Sequence, residues 1–547
     1  MYCRPSLTGK LLYVLVKSAC DNAPQAQFST HYMKPTILLS LLALVQVALG
    51  AQSSSRLYYN QDDTDFFWSS QIPAGRAGET LDRFVDGIAH AGVTVFLCNI
   101  NARRTNYRSQ VWDAYWDGYD PAGPDDQPFL APIPRSDVAA YRKGIGNMLA
   151  VYEQGVDYPA RIIQRCRHDK MSPWITLRMN DCHENNIPAH PFHGGFWVKN
   201  PQLRRKNCSG YFATCLDYAN PEVRAFYMSL VAEALDRYDP DGLELDFMRE
   251  PYVFSADKER EGAPILTGWM REVRKRVGDA ATKRGHPIRL GVRVPSRPEV
   301  ALAMGLDAVS WAKEGLIDVL VTTPRWATLE FDLPISQWRQ ALGNTKVALL
   351  GGLEVLYRPV PGGPASTVSP ALAIGAATSV LSQGADAVYL FNYFPGTFPP
   401  PAYQETLLAM ASLKSVQKLP RRVGVTYCDI TAPGEQYRPP LPATGKDATF
   451  RIRLGPVPDR HWLCDVVVGV APAPGGVGSA LTLRVNGTPC EFLGDESAKG
   501  DLRLTSFRVP TSALKGTEVH EVKVASEAPA PLCIRQVEMF LRPPDKR

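Results

Sequence analysis

The chain lacks the spacings that mark the common metal sites of proteins. Of its eleven cysteines no two are spaced CxxC, which excludes a zinc ribbon. No HExxH sequence occurs, and no H-x-H pair follows the first predicted strand, so the usual signatures of a metal centre are missing. We therefore expect no metal site and no cofactor.

The chain also carries little net charge once its first 50 residues are set aside. The formal net charge of the 547 residues is +5, and residues 1–50 contribute +3 of it, with four basic residues against one acidic residue. The rest of the chain therefore carries only +2. So small a charge on so large a body gives no reason to expect nucleic acid as a partner.

Long apolar runs are absent as well. One run follows Met33-Lys34, extends from Ile37 to Leu49 and ends in Ala48-Leu49-Gly50. It falls short of the ~20 residues that span a bilayer, and its positive start and small residues at the end are typical of a secretory signal. We expect residues 1–50 to be leader and signal peptide, with the true start at Met33. The mature protein is then secreted or periplasmic with no stable membrane insertion; the alternative is a short N-terminal membrane anchor.

Nine cysteines lie beyond residue 50. If the mature protein is exported, its oxidising compartment permits disulfides between them. Because nine is odd, at least one thiol stays free or pairs between chains. Cys208 and Cys215 flank a short loop, so we expect one bridge between them.

Short β-rich segments alternate with helical segments such as 80–91 and 221–238. The β-rich segments are 56–61, 93–100, 173–180, 242–249, 288–295, 317–323, 346–355 and 386–394. Strand–helix alternation predicts a parallel sheet, and eight repeats of it predict a (β/α)8 barrel. The longest insertion, about residues 101–160, is rich in aromatic residues, and a loop of this length is usually functional.

Helical periodicity disappears after Pro420. Alternating segments remain at 448–454, 463–470, 480–485, 502–509, 519–524 and 534–541. They predict an antiparallel β-sandwich. The fold class is thus α/β, a (β/α)8 TIM barrel over residues 51–418 followed by a β-sandwich over residues 419–547.

The fourth predicted strand places acidic residues on the face that lines the barrel. Leu243, Leu245 and Phe247 share the face toward the helices, and the opposite face carries Glu244, Asp246 and Met248. Buried carboxylates are costly unless they are paired or used in chemistry. Glu244 is therefore either functional or an ion-pair partner of Arg178 or Arg293, whereas Asp246 and Glu250 lie nearer the mouth, where barrel enzymes place their chemistry.

The seventh predicted strand supplies a carboxylate from the opposite wall. Ala348, Leu350, Gly352 and Glu354 share one face, and Glu354 reaches the mouth unless it pairs with Arg325 or Arg358. Two carboxylates that face a cleft are what glycoside hydrolysis needs, because one protonates the leaving oxygen while the other attacks or activates water.

Other strand ends offer hydrogen-bonding and aromatic side chains suited to sugar hydroxyls and C–H faces. The candidate substrate-binding residues are Arg178, Asn180, Asp181, His183, Glu244, Arg249, Arg293, Trp326, Asn392 and Tyr393. His183, His190 and His193 cluster after the third strand, where we expect substrate contacts or a structured loop rather than a metal.

Two motifs resemble a known family. Residues 218–224 read YANPEVR and residues 238–249 read YDPDGLELDFMR. This is similar to the glycosyl hydrolase-like 10 family, whose barrels have an NPEVR helix start followed by a YDxDG strand. The resemblance implies a secreted barrel hydrolase that acts on glycans, with Asp246 at the family's strand-four aspartate. The chain departs from retaining barrels, since Arg249-Glu250-Pro251 stands in place of Asn-Glu-Pro, and from chitinases at Glu244 and Met248.

The sequence therefore predicts a secreted glycoside hydrolase with a carbohydrate substrate. Asp246 or Glu250 is the predicted acid/base, and Glu354 is the predicted nucleophile or base. The alternatives are a non-catalytic glycan-binding or surface protein on the same scaffold and a metal-dependent hydrolase. The sandwich either binds carbohydrate or braces the barrel.

Overall fold

The computed structural model describes residues 56–458, 461–471, 481–499, 502–526 and 531–544. The predicted leader and signal peptide, residues 1–50, lie outside the described residues. Within the described ranges, no helix combines the length and the apolar character needed to cross a membrane.

Eight parallel strands close into a barrel, as the sequence predicted. They are β1 (Leu57–Gln61), β2 (Val95–Asn99), β3 (Ser172–Arg178), β4 (Gly242–Asp246), β5 (Arg289–Pro295), β6 (Val319–Thr323), β7 (Ala348–Glu354) and β8 (Ala387–Phe391). Each strand pairs with the next in the sequence, and β8 pairs with β1 to close the ring.

Helices separate the strands on the outside. They are α1 (Asp63–Ser69), α2 (Ala77–His90), α3 (Val138–Glu153), α4 (Tyr158–His168), α5 (Gly195–Lys199), α6 (Pro221–Arg237), α7 (Glu259–Arg284), α8 (Pro298–Ala303), α9 (Ala308–Lys313), α10 (Ile335–Leu342), α11 (Pro370–Ser382), α12 (Ala402–Met410) and α13 (Leu413–Val416). Side-chain N-caps mark the start of four of them. Ser369 accepts a hydrogen bond from the N–H of Leu372 just before Pro370, as expected of an N-cap.

The period-two pattern of the strands divides the apolar residues between two cores. The barrel interior is filled by a cluster that includes Trp174, Val321 and Leu350. Leu243, Leu245 and Phe247 pack on the other side in the larger cluster with the helices, as predicted. The prediction for Met248 is wrong: it also joins this outer cluster, because β4 ends at Asp246 and the alternation stops there.

The insertion after β2 is not simply a loop, because it contains α3. The predicted disulfide is also absent, since Cys208 and Cys215 are both free thiols. Cys215 is instead adjacent to Cys182, with which it shares a side-chain hydrogen bond.

Two antiparallel sheets follow the barrel, which confirms the predicted sandwich class. One sheet contains β9 (Arg421–Gly424), β10 (Ala443–Gly445), β12 (Leu463–Val470), β15 (Glu491–Lys499), β16 (Leu502–Arg508) and β18 (Leu532–Arg542). The other contains β11 (Asp447–Arg453), β13 (Leu481–Val485), β14 (Thr488–Pro489) and β17 (Val519–Ser526).

The segment between β9 and β10, residues 425–441, returns to the barrel and contacts the carboxyl ends of β5 and β6. The thiol of Cys428 lies 3.4 Å from the hydroxyl of Ser296. Glu435 forms a bidentate ion pair with Arg297, with nitrogen–oxygen distances of 2.9 and 2.6 Å. We call residues 425–441 the return segment.

Candidate active site at the carboxyl ends of the strands

The register of three neighbouring strands places Asp246 between two arginines. Arg178 of β3 is level with Asp246 of β4, which is level with Arg293 of β5. All three side chains are buried. One oxygen of Asp246 accepts a hydrogen bond from Nη1 of Arg293 at 3.0 Å, and the other accepts one from the N–H of Met248 at 2.9 Å. The negative charge of Asp246 is thus held by an ion pair.

Glu354 ends β7 on the other side of the ring. Its Oε1 accepts a hydrogen bond from the N–H of Val355 at 2.9 Å, and its Oε2 has no hydrogen-bond partner within the described protein. Burial raises the pKa of Glu354 to about 8, against the opposing effects of the Val355 N–H and the charge of Arg293. The predicted alternative pairing with Arg325 does not occur, because Arg325 pairs with Glu250.

Arg293 has two nitrogen atoms whose hydrogen-bonding capacity is unused within the described protein. Its Nε and Nη2 have no hydrogen-bond partner among the described residues, although its side chain is completely buried. The guanidinium lies 4.0 Å from the ring centroid of Phe391 in β8, a cation–π arrangement. A buried donor without a partner is rare in folded proteins, and a catalytic or binding role is one explanation of such an atom.

Glu244 lies deeper in the barrel than Asp246. Its Oε1 accepts hydrogen bonds from Thr176 at 2.7 Å, from Tyr389 at 2.9 Å and from Asn60 at 3.3 Å. Burial, together with the nearby charge of Asp246, raises the pKa of Glu244 to about 7. Its hydrogen bonds come from neutral groups, so it is not the ion-pair partner that the alternative prediction required.

Glu250 is held by a bidentate ion pair with Arg325, which follows β6. It is fully buried, and the guanidinium of Arg325 also lies 4.9 Å from the ring centroid of Phe212.

The loop that carries Arg325 is held in place by the return segment. The carboxylate of Asp429 accepts hydrogen bonds from three consecutive N–H groups of this loop, those of residues 325–327, at 2.8 to 2.9 Å. Glu250 therefore balances a charge rather than facing an open site.

A second charge network lies at the ends of β1 and β3. Arg178 donates to Asp62 at 2.6 Å and to Asp181 at 3.0 Å, and Asp62 lies 3.9 Å from Arg249. Burial opposes ionisation of Asp181, yet His183, Arg178 and Arg249 together hold its pKa well below the usual range. The network brings four of the predicted substrate-binding residues together.

The remaining predicted residues differ in how much of their surface is free. Asn180 is fully occupied, since its amide exchanges two hydrogen bonds with the backbone of Leu216. Tyr393 is buried and donates to the carbonyl of Glu354 at 3.3 Å, so it presents no ring face at the surface. Trp326 is 42% exposed and presents a ring face at the surface. Asn392 has an Oδ1 without a partner in the described protein.

Sequence reasoning missed three residues of this region. Asn60 and Asp62 lie at the end of β1, and the rule that polar residues at strand ends mark the site could have found them. Asp429 carried no such signal, because it belongs to the chain beyond the barrel.

The histidine cluster forms a structured loop. His193 contacts Arg103 at 2.7 Å through Nδ1 and the carbonyl of Glu184 at 3.0 Å through Nε2. Burial lowers the pKa of His193 to about 3 and that of His190 to about 4. Across the described ranges, no group of three or more His, Cys, Asp or Glu side chains is arranged to hold a metal ion.

Comparison with family models and curated proteins finds no match. No family model matches the chain, so the resemblance to the glycosyl hydrolase-like 10 family stays a prediction. No curated protein matches it either.

Several solved structures are distantly similar to the chain. The glycoside hydrolase domain of PgaB (BpsB) from Bordetella bronchiseptica is 11% identical, with 66% of this chain and 99% of that chain covered and a TM-score of 0.38. Chitinase ChiW from Paenibacillus sp. is 11% identical, with 88% and 54% covered and a TM-score of 0.40. A Paenibacillus sp. cycloisomaltooligosaccharide glucanotransferase is 10% identical, with 89% and 57% covered and a TM-score of 0.32. The chain spans little more than half the length of the last two, and likeness at this level concerns the fold alone.

Proposed function

We propose that the protein is an exported glycoside hydrolase that cleaves bonds in a poly- or oligosaccharide. The observation that carries the proposal is the state of Glu354. This carboxyl group ends a barrel strand, its Oε2 has no partner within the described protein, and burial raises its pKa to about 8. A carboxylic acid that keeps its proton at neutral pH is what a general acid requires.

The roles of the two carboxyl groups follow from their surroundings. Glu354 donates its proton to the glycosidic oxygen as the bond from that oxygen to the anomeric carbon breaks. Asp246, whose charge is balanced by Arg293, either attacks the anomeric carbon or removes a proton from the attacking water. This reverses the sequence-based assignment, in which Glu354 was the nucleophile or base.

Neighbouring groups supply the contacts that a sugar needs. Arg293 keeps two free donors next to Asp246, and Asn392 keeps an acceptor. Trp326 offers an exposed ring as a platform for the C–H face of a sugar. Export rests on the leader and signal peptide predicted over residues 1–50.

A non-catalytic glycan-binding protein is the second candidate, and one observation favours it. Glu244, Asp246, Glu250 and Glu354 are each at most 2% exposed. A sugar therefore reaches them only if the side chains over the mouth move apart. A scaffold whose acids serve only as internal ion pairs and hydrogen-bond acceptors would show the same burial.

Digestion of a polysaccharide panel, with analysis of the products, separates the two candidates. We expect the full chain to release oligosaccharides from one class of glycan, and Glu354→Gln and Asp246→Asn to lose this activity. Glu405→Gln is the matched control, because Glu405 is exposed on α12. If both site variants keep wild-type rates, the assignment is wrong. If the wild-type chain binds a glycan and releases nothing, the second candidate holds.

A further inference from the structure

Two exposed side chains lie on the rim of the barrel mouth, outside the buried carboxyl groups. His183 follows β3 with 40% of its side chain exposed, and Tyr211, in the segment before α6, is also 40% exposed. The two loops are joined on both sides of His183. The thiol of Cys182 donates to the carbonyl oxygen of Tyr211 at 3.7 Å, and the amide of Asn185 donates to the same oxygen. His183 and Tyr211 therefore belong to one accessible surface.

The imidazole of His183 is held in one orientation by Asp181. Its Nδ1 lies 2.9 Å from each oxygen of this carboxylate, and the backbone N–H of His183 donates to Oδ1 of Asp181 at 3.0 Å. The carboxylate also accepts from Arg178 at 3.0 Å, so it is ionised and can only accept. Nδ1 therefore carries the ring proton, which leaves Nε2 of the neutral ring as an acceptor. Nε2 has no hydrogen-bond partner within the described protein and is open to solvent.

The burial of Asp181 distinguishes this pair from the other His–Asp pairs of the described ranges. His168 contacts Asp169 at 2.7 Å, but the side chain of that aspartate is 16% exposed. His286 contacts Asp239 at 2.7 Å, and there the aspartate side chain is 34% exposed. The side chain of Asp181 is only 2% exposed. The exposed imidazole at the mouth is thus anchored to a carboxylate inside the protein, the kind of contact that orients a histidine toward a ligand.

Tyr211 supplies a donor on the same surface. Its ring centroid lies 5.3 Å from the guanidinium of Arg325, which pairs with Glu250. Partial burial, together with the charges of Glu250 and Asp181, raises the pKa of Tyr211, so its hydroxyl group keeps its proton at neutral pH. This hydroxyl makes no hydrogen bond within the described protein. The rim therefore offers one acceptor and one donor that the described protein leaves unused.

We propose that His183 and Tyr211 form a rim subsite that binds one sugar unit of a glycan chain. The inference rests on the proposed function, because the ligand is the carbohydrate substrate of the barrel. A sugar hydroxyl can donate to Nε2 of His183 and can accept from the hydroxyl of Tyr211. The subsite is exposed, whereas Asp246 and Glu354 are buried, so it holds a sugar unit next to the one at the cleaved bond. The substrate is then a chain of sugars rather than a single glycoside.

Kinetics on the polysaccharide that the digestion panel identifies test the subsite. Tyr211→Phe removes one hydroxyl and should raise KM about three- to tenfold with kcat within about twofold, because a remote contact binds substrate and transition state alike. An asparagine at position 183 reaches the place of Nδ1, and a glutamine reaches that of Nε2. We therefore expect His183→Asn to raise KM as Tyr211→Phe does and His183→Gln to stay near wild type.

His286→Asn is the matched control. It alters a His–Asp pair that lies between α7 and β5, at the amino ends of the strands, and should leave KM unchanged. Equal melting temperatures of the variants exclude unfolding as the cause of a change. If KM rises more in His183→Gln than in His183→Asn, the imidazole only holds Asp181 in place, and the subsite is wrong.

Affinity electrophoresis in gels that contain dextran, xylan, pectin or glycol chitosan measures binding without turnover and separates the two proposals. If the wild-type chain is retarded and releases no product, weaker retardation of His183→Asn and Tyr211→Phe supports the subsite while the proposed hydrolysis fails. If the wild-type chain cleaves a glycan and both variants keep its KM, hydrolysis stands and the subsite is overturned. A wild-type chain that is neither retarded nor active overturns both.

Discussion

The carboxylate of Asp246 and the guanidinium of Arg293 form an ion pair at 3.0 Å in which neither side chain is more than 2% exposed. Adjacent strands hold the two residues at the same level, so the pair is set by the register of the barrel. Removing charges from water costs several kcal/mol per ion, and the mutual attraction repays this only while both partners remain.

Asp246→Asn should therefore destabilise the protein by about 3–5 kcal/mol, because it leaves the charge of Arg293 uncompensated. Adding Arg293→Met should recover part of this loss. Urea unfolding of the single and double variants measures both effects. The control is Asp279→Asn, which breaks the exposed pair with Lys275 and should cost no more than about 1 kcal/mol. Equal losses for Asp246→Asn and Asp279→Asn would show that burial does not govern the pair.

Stability should depend on pH through Glu354. Burial raises the pKa of Glu354 to about 8 in the folded state, above the ordinary value of 4.5 that applies when the chain unfolds. Between these values the folded state binds the extra proton, so stability falls as pH rises from about 5 to about 8. The melting temperature of Glu354→Gln should fall less over this range than that of wild type or of Glu405→Gln. Parallel curves for all three proteins would contradict the assignment.

The pH dependence of the hydrolysis rate should also report the protonation of Glu354. If Glu354 is the general acid, the rate of hydrolysis falls as pH rises above about 8, because the proton is lost. Glu354→Gln should lower kcat by about 10²–10⁴-fold and abolish this limb of the pH profile. The measurement uses a substrate identified by the polysaccharide panel. A basic limb that persists in Glu354→Gln would assign the proton to another group.

The burial of Cys208 and Cys215 predicts the order in which their thiols react with an alkylating reagent. Cys215 is buried and Cys208 is half-buried, and neither is in a disulfide. Alkylation of the native protein should therefore modify Cys208 before Cys215, and unfolding should expose both as free thiols. Peptide mapping by mass spectrometry distinguishes the two stages. A cross-linked peptide that contains both cysteines in a non-reducing digest would restore the bridge that the sequence suggested.

The barrel itself could be predicted because its strands carry their own pattern. The segments are short, contain β-branched or aromatic residues and alternate with helical segments, so eight repeats predict a closed sheet without knowledge of any long-range contact. The rule that chemistry lies at the carboxyl ends selected Asp246, Arg293 and Glu354. The structure places Asp246 and Glu354 at the ends of β4 and β7, and Arg293 in β5, where it pairs with Asp246. Alternation failed only at Met248, two residues beyond the end of β4.

The ion pairs could not be predicted from the sequence, because they join side chains of different strands and loops, and the local sequence pattern contains no information about such contacts. The sequence offered four arginines as partners of the acids, Arg178, Arg293, Arg325 and Arg358. Only the folded geometry shows that Arg325 pairs with Glu250 and Arg293 with Asp246. The state of Glu354 is likewise a property of its surroundings, because burial and the absence of a partner for Oε2 arise from the whole mouth.

The return segment and the C-terminal sheets contribute contacts to the mouth of the barrel. Asp429 fixes the loop that carries Arg325, and Tyr357 after β7 donates to Glu538 of β18 at 2.8 Å. The mouth of the barrel is therefore completed by sequence that lies beyond it. The loop of Arg325 and the segment after β7 thus depend on hydrogen bonds from residues beyond the barrel, so a barrel cut off before β9 would lose the contacts that hold its own mouth in place.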